Sequence, residues 1–388
     1  MIKLNNTFLY NISFFFFIAY FFIRPIQLYE NLMGNVSAMS GMHAAISLGL
    51  FTFLLIYYII KPSTLQIKIY DLAVYLLIIY MFLVIFLDYT IYGKSFAVYS
   101  INLQTTLYYL AFYLVGVNFT NIEKWYKLIL LLFMILVVEK IIFYDPSLGH
   151  IILHLDEKFN SLYAFLGDSF AIFAIVLITT TKTNKYKIIL FFTTLVILSI
   201  LYTRTPLYVM FMLGFLFLSR TLNRKAFYIL LIFIFTLVIF VVSDYSHDLA
   251  SSRMFSFLMT GQDGSWHARA IQKMLGYNDI FNHPILGNYA GQYYEHGFRF
   301  GTYIHNIFSY YRQYGLIAVI LMSFIFFYVA KYSYYWYKNY YSDKYDYIFY
   351  LVFFILLEVF FSRAYTLPYL FFAFGLIKNI QLKENNEA

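Results

Sequence analysis

LAVYLLIIYMFLVIFLDYTIYGKSFAVYSINLQTTLYYLAFYLVGV, residues 72–117, decides the fold. Two runs within it, 72–87 and 96–117, carry no charged side chain, and Asp88 and Lys94 lie in the polar break between them. A helix needs about 20 apolar residues to cross a hydrocarbon core ~30 Å thick. The pair reads as two membrane helices joined by a short turn.

The same pattern recurs along the chain, near residues 8–23, 44–60, 128–143, 161–180, 188–202, 206–219, 226–243, 305–330, 347–361 and 366–377. Two of these runs, 206–219 and 366–377, are short and call for tilt or for extension at their ends. Pro206 opens the first, where a missing N–H costs little. Composition agrees: of 388 residues, 62% are hydrophobic and 12% charged, with mean hydropathy +0.70. A soluble domain is nearer 45–50% apolar and about 25% charged, so this chain needs lipid as its solvent. Some of its 42 Tyr residues belong at the lipid headgroups, where an apolar ring with a polar tip is stable. The chain has no Cys, which excludes a disulfide framework, thiolate chemistry and a Cys-ligated metal. Its net charge of +8 is scattered between apolar runs and reads as a topology signal, not as a nucleic-acid surface. Lys3 precedes the first run and no small-x-small cleavage site follows it, so that run reads as a retained helix.

Orientation follows from the basic residues of the short loops. With a cytoplasmic N-terminus, Lys3, Lys61, Lys68, Lys124, Lys127, Lys182, Lys185, Lys187, Arg220, Arg224, Lys225, Lys331, Lys338, Lys344, Lys378 and Lys383 all fall on the cytoplasmic side. The opposite side keeps only Arg24, Lys94, Lys140, Lys158, Arg204 and Arg363. Both termini are therefore expected in the cytoplasm. The expected fold is an all-α integral membrane protein: one polytopic domain over 1–388, about twelve membrane helices, and one large, partly helical extracytoplasmic loop at about 244–304 between the ninth and tenth.

That loop is the only long polar segment, and it gathers Arg253, Arg269, Lys273 and Arg299, with Arg312 just beyond. Functional groups concentrate on such loops. Part of it reads DGSWHARAIQKMLGYNDIFNHPILGNYAG, residues 263–291. Ser265-Trp266-x-x-Arg269 opens a helix, Asn282-His283-Pro284-Ile285-Leu286-Gly287 forms a Pro-x-x-Gly turn, and His305-Asn306 is followed by Gly315 at the start of a membrane helix. Upstream, Thr203-Arg204-Thr205-Pro206-Leu207 puts an arginine at a membrane edge before an apolar helix. In these four pieces, and in their order, the chain resembles the O-antigen polymerase and O-antigen ligase superfamily of bacterial envelope glycosyltransferases. The His-Asn to Gly spacing is one residue shorter than the common ligase pattern. The polymerase is the preferred member and the ligase the alternative.

The resemblance implies a donor glycan on undecaprenyl pyrophosphate, bound at the outer face of the inner (cytoplasmic) membrane, with a chain-length regulator and a flippase of the same pathway as partners. Pyrophosphate is a weak base and leaves without a general acid, but its developing charge needs stabilising. Guanidinium forks pair with phosphate oxygens and stay charged, and preorganised charge of this kind is often the largest catalytic contribution. The acceptor hydroxyl needs a base, for which a neutral His with a reference pKa near 6.5 is suited. Arg204 and Arg269 are the candidates for the pyrophosphate and His305 for the base. Arg299, Arg253, Asn306, Arg312 and Trp266 are candidates for substrate binding. The expected reaction is inverting and independent of metal or other cofactors.

Each assignment has a plainer reading. Arg204 also fits a snorkelling interface anchor, Arg269 a solvated loop residue, and His305 with Asn306 a helix cap. Trp266 suits a packing anchor better than a sugar platform. His150 and His154 share a helical face at a spacing of four but more readily wet an interfacial segment than hold a metal. Asp168 and Glu358 read as buried, hydrogen-bonded carboxyls. There is no Asp-x-Asp, Walker loop or Gly-x-Gly-x-x-Gly, which disfavours nucleotide-sugar and ATP chemistry. A transporter, such as a flippase for the same lipid, is the alternative of a different class, and would be expected to carry repeats and helices interrupted near the midplane.

Overall fold

The computed structural model describes residues 6–26, 67–92, 96–145, 150–151, 162–201, 203–228, 264–291, 304, 306–340, 342–361 and 368–387, with a few positions between 45 and 59. Among the described residues the fold is helical apart from one short antiparallel pair, β1 (Tyr144–Asp145) against β2 (His150–Ile151). The helices are α1 (Asn6–Ile18, continued by a π-helical turn, Ala19–Ile23), α2 (Ile69–Tyr92), α3 (Phe96–Asn118), α4 (Tyr126–Ile142), α5 (Leu162–Thr180), α6 (Asn184–Ile200), α7 (Arg204–Thr221), α8 (Gly264–Asn282), α9 (Phe308–Asn339), α10 (Asp343–Phe361) and α11 (Tyr369–Glu387).

Among the described residues three helical segments, Thr7–Ile26, Ile69–Thr90 and Phe308–Asn339, are long and apolar enough to cross a membrane. Their outward faces are greasy: Ile79, Leu83 and Phe86 on α2, and Ile320 and Phe327 on α9, are exposed. On a soluble protein such stripes would drive association; against lipid tails they are at home.

Two helices are buried on all sides, as a helix at the centre of a bundle must be. Every residue from Leu166 to Thr181 on and just past α5 is buried, and so is every residue from Pro368 to Gln381 on and just before α11. α11 lies closely along α3, because Gly116 and Gly375 face each other and a Cβ on either would overlap the other helix's backbone. Small residues at the crossing are how helices approach closely in lipid, where no hydrophobic drive pushes them together. Rings fill the remaining space, with Tyr109 stacked on Phe371 at 4.5 Å and Phe17 set among Phe21, Phe119, Phe173 and Phe372.

The two short apolar runs are parts of longer helices: 206–219 extends to Arg204–Thr221 and 366–377 to Tyr369–Glu387. The run at 305–330 starts at Phe308 and continues to Asn339. The backbone ladder does not need apolar side chains, so each helix outlasts its greasy core. The runs at 44–60 and 226–243, and the loop's residues 244–263 and 292–303, lie largely outside the described residues.

Lysines and arginines meet at one end of the bundle. Lys124 Nζ donates to Asn11 at 2.6 Å, Lys187 pairs with Asp343 at 2.9 Å, and Arg220 of α7 reaches Asp346 of α10 at 3.2 Å. Lys378 pairs with Asp71, which also accepts from Tyr113 Oη at 2.5 Å and from the Lys68 N–H at 2.7 Å. Arg220 donates to the Tyr337 and Tyr340 carbonyls at 2.5 and 3.0 Å, so α7 and α9 end side by side. Their first residues, Arg204 and Phe308, therefore lie toward the other end.

Candidate functional site

At that other end α9 is broken. Gly315 has φ +71° and ψ −167°, a conformation open essentially to glycine alone. A break inside a helix frees backbone donors and acceptors that need partners elsewhere. The Pro284–Gly287 turn supplies them. The Leu316 N–H donates to the Pro284 and Ile285 carbonyls at 3.0 and 3.1 Å. The Arg312 carbonyl accepts from the Asn288 N–H at 2.6 Å, and Gln313 Oε1 accepts from the Ala290 N–H at 2.7 Å. From the far side, Tyr80 of α2 donates its hydroxyl to the Tyr314 carbonyl at 2.8 Å. The turn closes on itself through Gly287 N–H to the His283 carbonyl at 3.0 Å, with Gly287 at φ +76°. Two of the sequence pieces, the Pro-x-x-Gly turn and Gly315, are thus interlocked.

α8 leads into this turn. Its face toward α9 carries Gly276 and Asp279, while Lys273, Met274 and Tyr277 are exposed. Asp279 accepts from Arg312 Nε at 2.6 Å, and Nη2 approaches the same carboxylate oxygen. The side chains are 5% and 1% exposed, so the pair is sealed from water.

The predicted residues are distributed as follows. Arg204 opens α7, half-buried, after an extended Thr203 packed against Gly167 of α5. Arg269 and Trp266 lie on α8, in the turns preceding Asp279. Their side chains are outside the described residues, as are Arg253, Arg299 and His305 altogether. Asn306 acts as a cap: its Oδ1 accepts from the Phe308 N–H at 3.0 Å, and its carbonyl accepts from the Ser309 N–H. Arg312 faces Asp279. Sequence reading missed Asp279, Tyr80 and Gln313, which lie far from their partners along the chain.

Asp168 of α5 takes the Tyr369 hydroxyl, in line with the reading of a hydrogen-bonded buried carboxyl, and Glu358 is fully buried on α10. Arg24 lies between the rings of Tyr20 and Phe165, at 4.8 and 4.9 Å. Among the described residues no three His, Cys, Asp or Glu side chains group as metal ligands. His150 belongs to β2, paired with Asp145, and His154 lies outside the described residues.

The end of the bundle that holds the interlocked turn also carries Arg204, half-buried at a helix start, and α8 from the polar loop. No protein-family model matches this chain, and no curated protein matches it in sequence.

Proposed function

We propose that this chain is a multi-pass membrane glycosyltransferase that polymerises lipid-linked polysaccharide repeat units, as in O-antigen or capsule synthesis. The observation that carries the reading is the docking of the Pro284–Gly287 turn into the break at Gly315, which joins two separate pieces of the resemblance at the end of the bundle where α7 begins with Arg204. In this reading about twelve helices cross the inner membrane, both termini are cytoplasmic, and the loop at about 244–304 faces outward.

The growing chain sits on undecaprenyl pyrophosphate and the next lipid-linked unit offers a hydroxyl. The hydroxyl oxygen attacks the anomeric carbon from the face opposite the pyrophosphate. A new glycosidic C–O bond forms as the old C–O bond to phosphate breaks, and the bonding pair leaves with the pyrophosphate. His305 takes the hydroxyl proton. Arg204 and Arg269 hold the pyrophosphate as its charge rises. The configuration at carbon inverts, and the carrier is released as undecaprenyl pyrophosphate.

Transport is the reading of a different class, and a broken helix is the feature that favours it. The position of the break weighs the other way. From Leu316 to Ala330, before the first lysine assigned to the cytoplasmic side, α9 rises about 22 Å at 1.5 Å per residue, which favours a break in the outward part of a core ~30 Å thick. Its hydrogen bonds come mainly from the Pro284–Gly287 turn and, among the described residues, not from a second interrupted helix.

The test is the surface glycan profile of a strain lacking the gene. Core carrying a single repeat unit is the expected result, since ligation still works. Core with no repeat, and long chains left on undecaprenyl pyrophosphate, identifies a ligase. An unchanged ladder removes both enzymes and leaves transport.

A further inference from the structure

We infer that the buried Asp279–Arg312 pair is a positioning latch: it fixes α8, the helix of Arg269, against the broken start of α9 and against Ile304, the residue before His305 in sequence. The inference rests on the reaction just proposed and makes Arg312 a positioning residue, not a substrate contact.

Geometry is the first argument. Arg312 is 1% exposed and Asp279 5%. Arg312 Nε holds the carboxylate at 2.6 Å, and Nη2 turns to the same oxygen. At 1% exposure this guanidinium presents no open face on which a phosphate could land.

The second argument is where the pair sits. One turn before Asp279, a Cβ on Gly276 would overlap the Ile304 side chain and lie 3.5 Å from Arg312 Cδ. α8 therefore rides directly on the residue that precedes His305. Arg269 stands ten residues before Asp279 on the same helix, about 15 Å away at 1.5 Å per residue. On the other side, the Arg312 carbonyl takes the Asn288 N–H at 2.6 Å and Gln313 takes the Ala290 N–H at 2.7 Å. Arg312 is thus tied to the arm before the turn by its side chain and to the arm after it by its backbone.

The third argument is energetic. A buried ion pair seldom stabilises a fold more than well-packed apolar residues of the same volume, because desolvation offsets the Coulomb gain. Its better-attested use is to fix register. Here the register fixed is that of one helix carrying a phosphate-binding candidate against the segment carrying the base.

The experiment uses the full chain in bilayer discs with lipid-linked single repeats as substrate. Four forms are compared: wild type, Asp279→Asn, Arg312→Gln, and the apolar double variant Asp279→Leu with Arg312→Met. If the pair is a latch, both single variants lose turnover alike, by roughly tenfold or more, with KM little changed, since small misplacements are costly to rate. The double variant, which needs no partner for a buried charge, regains most of that turnover. The latch is overturned if Asp279→Asn keeps wild-type turnover while Arg312→Gln loses it. A double variant that inserts normally but stays as inactive as Arg312→Gln also overturns it.

A second readout does not need activity. The chain has no Cys, so Lys273→Cys on α8 and Ile317→Cys beyond the break are unique labelling sites, both on exposed positions. The spin-label distance distribution between them should be narrow in the otherwise wild-type chain, broaden in Asp279→Asn and narrow again in the apolar double variant. An unbroadened distribution in Asp279→Asn overturns the latch. If the wild-type chain elongates no lipid-linked repeat, the proposed reaction falls, and the latch is then judged by this distance alone.

Discussion

The two ends of α9 are built on opposite principles, each around an arginine. At the basic end Arg220 comes in from α7, stacks on Tyr337 at 4.1 Å, takes the Tyr337 and Tyr340 carbonyls and reaches Asp346. It satisfies the carbonyls that any helix terminus leaves unpaired, at a partly solvated surface. At the other end Arg312 belongs to α9 itself, is sealed from solvent and faces an acid 33 residues away. The first arrangement finishes a helix. The second holds irregular backbone, with Gly315 in a conformation few residues tolerate. Backbone irregularity of this kind persists only where surrounding contacts over-determine it, and it clusters where function is.

The contrast is sharpest along α7, which has Arg204 at one end and Arg220 at the other. Arg204→Ala, and Arg269→Ala on α8, should each lower polymer formation by roughly a hundredfold or more, with protein still inserted. Chelation with EDTA should leave wild-type activity intact. Normal polymer lengths in both variants would end the pyrophosphate assignment, and loss on chelation that a divalent ion restores would bring His150 and His154 back into question. Gly315→Ala comes next. The new Cβ would overlap the Ile285 carbonyl at a positive φ, so a loss of about 3 kcal/mol or more is expected, read as a fall in thermal stability in detergent. A Gly315→Ala variant as stable as wild type would mean that the break is not held as described.

At the basic end the effects are smaller. Arg220→Met should cost about 1–2 kcal/mol and leave polymer length unchanged; altered length would erase the distinction between the ends. The same end also carries a dependence on pH. Burial lifts Asp346 from 3.8 to about 6, against the pull of Arg220 and Lys187 and with Asp343 adding to the rise. The folded protein keeps this proton where the unfolded chain has lost it. Stability should therefore fall as pH rises between about 4 and about 6, then level off. Asp346→Asn should flatten that slope, and an unaltered slope would assign it to another group.

Much of the fold was legible because apolar runs and helices share the same segments in a lipid-facing protein. The break in α9 was not. The run at 305–330 reads as one helix through Gly315, and one glycine after the polar Arg312 and Gln313 does not reveal that the chain leaves the helix there. The Pro-x-x-Gly turn could be read as a turn but not as the partner of that break, because hydrogen bonds between residues some thirty positions apart leave no period in the sequence. Arg312 illustrates the same limit. Its place just beyond the polar loop suggested substrate binding, whereas Asp279, one acid on a mostly polar helix, gave no sign of being its partner. Asn306 was readable both as a cap and as an acceptor contact, and its Oδ1 is engaged by the Phe308 N–H.

The burial of α11 on every side bears on how the molecule is made. Helices enter the bilayer in the order of synthesis, and α11 follows all the others described. Until it arrives, α3 presents Gly116 to a gap, and α10, α9 and α1 lack a common wall. Until then α5 is the one fully buried helix among the described residues, and α3, α9 and α10 gain their shared partner only when the segment beginning at Tyr369 packs between them.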